Sequence, residues 1–141
     1  MGHLNLNALD KALASLEQAV AVANDETLMT GLPKAARETI VAGAIQNFAV
    51  TYELCWKFIK RWLAHNLGPT QVEGVTRRHL FRLAAEQRLL DDVEQWMEFH
   101  QARNRTSHVY DQDVAREVFA VAIELIPPAQ SLLERIRERN D

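Results

Sequence analysis

The chain has 141 residues, 48% of them hydrophobic and 25% charged, which suits one domain with a single buried core and leaves no room for several. A formal charge of −3 argues against a protein that lives on nonspecific phosphate contacts, and a single cysteine, Cys55, excludes an internal disulfide and a cysteine-based zinc site. No apolar run approaches membrane-spanning length, and the Met-Gly-His-Leu-Asn-Leu start lacks a basic segment followed by an apolar one, so no signal peptide is read and a cytoplasmic location is expected.

Leu6, Leu9, Leu13, Leu16 and Val20 recur at three or four and predict a first helix over 5–23. Residues 24–31 read as a connector. Pro33 suits the opening turn of a long second helix over 34–65. Its expected inner face runs from Ile40 through Phe48, Tyr52 and Trp56 to Leu63, with Glu53, Lys57, Lys60 and Arg61 opposite. Asn66-Leu67-Gly68-Pro69 ends it. Thr76 is the expected cap of a third helix to Glu86. Asp91 with Glu94 has the form of a capping box for a fourth. A fifth starts near 113, and Pro127-Pro128 is expected to kink or break it before Leu132. The charged end, from about 134, is expected to fray. Strand-type alternation is nearly absent. The sum is an all-α, antiparallel, four- to five-helix up-and-down bundle spanning 1–141 as one domain. No inward Glu-x-x-His pairs exist, so di-iron bundles are excluded. No Gly-rich phosphate loop exists, so the chain is not itself a P-loop enzyme.

The chemistry concentrates where the fourth helix runs out. Val93, Trp96, Met97, His100, Asn104 and Ser107 share one helical face, with Arg103 at its edge, and that face turns from apolar to polar. Arg103 and His108 are five apart and would point about 140° from each other on an unbroken helix. They can share a site only if the helix breaks after about Asn104 or if a second copy completes the site. Such a pair suits RNA cleavage without a metal. A histidine can take the proton of the attacking 2′-hydroxyl, and an arginine fork can stabilise charge on the phosphoryl oxygens. The plain alternative is a hydrogen-bond cluster that fixes a loop. His65, His79 and His100 lack ligand spacing, so no metal is expected. Trp56, Trp62 and Trp96 lie on apolar stripes and are read as core.

The run RNRTSHVYD, preceded by DDVEQWMEFHQA and further upstream by FAVTYELCWKFIKRWL, resembles the nucleotidyltransferase substrate-binding protein family of the HEPN superfamily, which includes HepT-type toxins. The resemblance spans about 40–120. It implies a HEPN bundle, usually a homodimer, working beside a separate small nucleotidyltransferase in a toxin–antitoxin module. It further implies a metal-independent endoribonuclease, with no cofactor, in which Arg103 and His108 are catalytic. Asn104, Arg105, Ser107 and His100 would support the site or bind nucleotide, and Tyr110 would accept AMP from the transferase. The family's older name implies the other reading, a non-catalytic subunit that holds nucleotide or substrate for the transferase. The two stay open on sequence. One departure is visible: many relatives place a proline before the arginine that starts the third helix, where this chain has Val75-Thr76-Arg77-Arg78.

Overall fold

A computed structural model describes residues 4–140; Met1–His3, part of the stretch read above for a leader, and Asp141 lie outside the described residues. Among the described residues there are six α-helices and two short 3₁₀ turns and no strand: α1 Asn7–Ala23, α2 Glu26–Thr30, α3 Lys34–Leu67, α4 Arg77–Glu86, α5 Val93–Asn104 and α6 Gln112–Glu138, with the turns at Pro69–Gln71 and Thr106–His108. None of these helices is long and apolar enough to cross a membrane.

The four long helices α1, α3, α5 and α6 alternate in direction. Thr51 of α3 donates its hydroxyl to the Ala12 carbonyl of α1. The start of α1 meets the end of α6 through Asp10 and Arg137, and Leu4 exchanges two 2.8 Å hydrogen bonds with the Asn140 side chain. The end of α3 meets the same region where the Arg139 guanidinium lies 5.2 Å from the Trp62 ring. Helix α5 returns against α3 through Tyr52 and His100. The product is an up-down-up-down bundle, as the periodicity predicts.

Its core takes Leu9, Leu13 and Leu16 from α1, Phe48, Tyr52 and Ile59 from α3, Phe81 from α4, Trp96 and Phe99 from α5 and Leu125 and Leu132 from α6. Each such buried aliphatic or aromatic side chain contributes about 1.5–3 kcal/mol of transfer free energy. The wide arc of α3 serves four helices at once, α1, α4, α5 and α6. Cys55 is wholly buried, and burial pushes its thiol pKa up, so it packs as a small hydrophobe.

Helix boundaries follow local chemistry with four corrections. Thr76 caps α4 by accepting from the His79 amide, so the cap forms without a proline before Arg77. Gly68 ends α3 at φ 102°, a value that favours glycine, and Pro69 follows. The expected connector at 24–31 instead contains α2, because Asp25 accepts from the Leu28 amide and supplies a cap. The cap of α5 is Asp92, accepting from Gln95, not Asp91; Asp91 is held by a two-pronged bond from Arg135 at 2.9–3.0 Å. Pro127-Pro128 sits inside an unbroken α6, since Val118, Ala122 and Leu125 before it and Ala129, Leu132 and Ile136 after it form one buried stripe in register. Packing along that stripe outweighs the helix cost of about 3 kcal/mol per interior proline. The charged end does not fray. It stays helical to Glu138 because Ile136 is buried and Arg139 donates to the carbonyls of Gln87 and Arg88.

Candidate functional site

Helix α5 stops at Asn104. The Arg105 amide bonds to the Ala102 carbonyl, and a 3₁₀ turn carries the chain through Thr106–His108 into Asp111, which caps α6. The break is a side-chain effect as well as a backbone one. Thr106 donates its hydroxyl to the Arg103 carbonyl at 2.8 Å, withdrawing it from the next helical turn, and accepts from Arg103 Nη1 at 3.2 Å. Of the two routes open on sequence, the broken helix is the one observed within the chain.

Arg103 sits on the wall of a groove of about 290 Å³ between α3 and α5, lined also by Val50, Glu53, Leu54, Lys57 and Thr106. Its Nε lies 3.4 Å from Glu53 Oε2. It is a charge contact and not a hydrogen bond, so Nε is left without a hydrogen-bond partner. Both side chains are about a third exposed, 37% and 32%, so the attraction is partly screened.

His108 and Tyr110 lie together outside the groove. Their rings are 6.0 Å apart, and His108 Nδ1 is 3.4 Å from the Tyr110 hydroxyl, a long contact. Tyr110 is 80% exposed, more than any other large hydrophobic or aromatic side chain described. No hydrogen bond or charge contact among the described residues joins Arg103 to His108.

The polar stripe divides. His100 turns inward, its Nδ1 2.9 Å from the Tyr52 hydroxyl. Burial foremost, then the Arg77 charge, hold the His100 pKa below the usual histidine range, with Glu53 opposing. Burial pushes the Tyr52 phenol pKa up. The pair therefore exists at neutral pH as a phenol donating to a neutral imidazole, whose proton is inferred to sit on Nε2. Asn104 and Ser107 are exposed and make no side-chain hydrogen bond among the described residues. Arg105 pairs with Glu117 of α6 at 2.7 Å. The core face of α5 is Trp96, Phe99 and Ala102, about one position out of phase with the stripe expected from sequence. Because the helix ends, Asn104 and His108 are not helical neighbours, and Arg103 does not align with Tyr110.

Sequence reasoning placed Glu53 and Lys57 on a solvated face; they line the groove. The available signal was their position at the edge of a wide apolar arc, beside Tyr52 and Trp56. A separate cavity of about 470 Å³ between the α4–α5 turn and the tandem prolines, lined by Leu89, Asp91, Trp96, Pro128 and Arg135 among others, contains none of the expected residues.

A bundle with this broken Arg–His helix end can be compared with known proteins. The family model described as "Nucleotidyltransferase substrate binding protein like" matches residues 4–138. The chain belongs to that family. It is 36% identical over 138 residues to a Haemophilus influenzae protein named probable ribonuclease HepT, covering 97% of this chain and 94% of that one. The solved structure of HI0074 from Haemophilus influenzae, described as the fold of a substrate binding domain of a nucleotidyltransferase, superposes with a TM-score of 0.91 at 35% identity, covering 94% of this chain and 99% of that one. A crystal structure of a Thermus thermophilus protein superposes with a TM-score of 0.72 at 27% identity, covering 92% of this chain and 98% of that one.

Proposed function

We propose that this protein is the HEPN subunit of a two-component HEPN/nucleotidyltransferase module of toxin–antitoxin type, and that it cleaves RNA without a metal. The observation that carries this reading is the break of α5 after Asn104, which separates a groove-wall guanidinium from a solvent-facing imidazole by one tight turn. The relative named probable ribonuclease HepT supports it. In the reaction, the RNA 2′-oxygen attacks its own phosphorus and the P–O5′ bond breaks. The products are a 2′,3′-cyclic phosphate and a free 5′-hydroxyl. His108 takes the 2′-hydroxyl proton, and the leaving oxygen is protonated by water or by the His108 of a second copy. Arg103 stabilises the charge on the phosphoryl oxygens. Because His108 makes no bond to Arg103 in its own chain, we place the complete site across a homodimer, with Val50 and Leu54 of the groove at the contact. Asn104, Arg105 and Ser107 border the RNA path, His100 braces the site from inside, and Tyr110 is the residue the transferase would modify with AMP.

The purified protein is expected to cleave RNA in EDTA as a dimer by light scattering. Arg103→Ala and His108→Ala should each remove cleavage without changing the unfolding midpoint by more than a surface substitution does. Full activity in either variant ends this reading. A second reading, a non-catalytic subunit that holds nucleotide for the transferase, is favoured by the net charge of −3 and by Glu53 lying beside Arg103. It requires complex formation with the transferase and no cleavage by the wild type.

A further inference from the structure

Arg77 is the first residue of α4, with Arg78 next to it, and the first turn of that helix holds no acidic residue. Cations at this end oppose the helix dipole. Arg78 offsets its charge by pairing with Glu94. Arg77 does not. Its guanidinium lies 3.4 Å from the centre of the Trp56 ring. It makes no hydrogen bond or ion pair to any described residue, and its Nε is buried without a partner, as is Trp56 Nε1. The two terminal nitrogens are not among the fully buried atoms, and no described residue takes their hydrogen bonds.

The surroundings repeat the theme. Trp56 is one helical turn along α3 from Glu53, the residue that contacts Arg103. Lys57 Nζ stands 5.8 Å from the Trp56 ring, and Tyr52 and His100 lie near enough to Arg77 to feel its charge. Arg77, Lys57 and Arg103 are thus three cations gathered around the Tyr52–Lys57 stretch of α3, with the Glu53 carboxylate among them. A guanidinium stacked flat on an indole keeps its edge free, and that edge has the geometry of a two-pronged phosphate contact.

We propose that Arg77, laid on Trp56, binds a second phosphate of a single-stranded RNA whose scissile phosphate is held by Arg103. This rests on the RNA-cleaving reading above and deepens it: the substrate is a single strand longer than the dinucleotide being cut. A duplex would present its phosphates at fixed positions on a stiff rod, whereas a single strand can bend along α3.

The test measures binding of a labelled single-stranded oligoribonucleotide of about ten nucleotides, within the range single-strand sites span, to the full chain carrying His108→Ala. Arg77→Met on that background keeps a long apolar side chain over Trp56 and removes the charge; Arg77→Lys keeps the charge and loses the fork. Expected for Arg77→Met is about a tenfold weaker affinity and a salt-dependence slope smaller by about 0.7, the value for one phosphate contact on a single strand. Arg77→Lys should keep the slope and lose part of the affinity. Unchanged slope and affinity in Arg77→Met overturn the proposal, and so does a loss confined to AMP or ATP binding or to binding of the transferase partner. Wild-type cleavage in EDTA is scored separately. Cleavage with an unchanged Arg77→Met slope rejects the second phosphate alone; a reduced slope without wild-type cleavage rejects catalysis and keeps the phosphate contact.

Discussion

Glu53 and Arg103 face each other across the α3–α5 groove with 3.4 Å between Oε2 and Nε, while Thr106 holds Nη1 of the same guanidinium at 3.2 Å. The arginine is thus oriented from two sides, with Nη2 left free of either contact. Glu53→Gln keeps the shape and removes the charge. On the proposed role of Arg103, it is expected to lower kcat for RNA cleavage about tenfold to a hundredfold with a smaller change in KM, because misplacing a charge-stabilising group by about 1 Å costs that much. Steady-state kinetics on a defined oligoribonucleotide check it. Equal loss from uniform weakening of binding would show Glu53 to act on affinity instead.

His100 gives the fold a dependence on pH. Its folded pKa lies below the unfolded value of about 6.5, so the unfolded chain takes up the proton first as pH falls. Its contribution to stability is therefore complete above about 6.5 and is lost as pH drops from there through the folded pKa. Thermal unfolding followed from neutral pH downward should show a falling midpoint in the wild type and a shallower fall in His100→Gln. Parallel curves would assign the acid sensitivity elsewhere.

Tyr52→Phe should be felt at the same place. It leaves His100 Nδ1 without its 2.9 Å partner in a half-buried site, and about 1–2 kcal/mol of stability should go with the hydroxyl. Urea unfolding measures it.

Arg88 predicts the opposite sign. It holds φ 60° just past the end of α4, where Leu89 and Arg88 donate back to Ala84 and Ala85 in the motif that glycine usually serves. Arg88→Gly should raise stability by about 0.5–1 kcal/mol, because the left-handed strain is relieved and the carbonyl that receives Arg135 and Arg139 is kept. A lower urea midpoint would show that the arginine side chain contributes more than its backbone strain costs.

Tyr110 is open enough for an enzyme to reach. With the partner transferase and ATP, intact-mass and peptide measurements should locate adenylyl addition at Tyr110, absent in Tyr110→Phe. Addition at another residue would remove that role.

Periodicity was enough for the bundle because each long helix buries one continuous stripe, and such stripes are local facts. The ends at Gly68 and Thr76 were legible for the same reason. Asp91 was not, since its partner Arg135 is forty-four residues away and nothing near Asp91 reveals it. The tandem prolines misled because local propensity favours a break, whereas Ala129, Leu132 and Ile136 reward continuity only once the other helices are in place. In the site, the break after Asn104 was one of two readings allowed by the Arg–His spacing. The contacts of Glu53 and Arg77 were hidden, because each is made with a neighbour on a different helix.

The clasp between Leu4 and Asn140 brings positions 136 residues apart into direct contact. A few flexible residues would suffice to splice position 140 to position 4, and the chain could then be cut open at the exposed Gly31 between the first two long helices. A permutant of that kind would start with α3 and finish with α1 and the short α2. Its recovery as a folded molecule would show that helix order is interchangeable here, while the turn after Asn104, untouched by the cut, would carry its cluster intact.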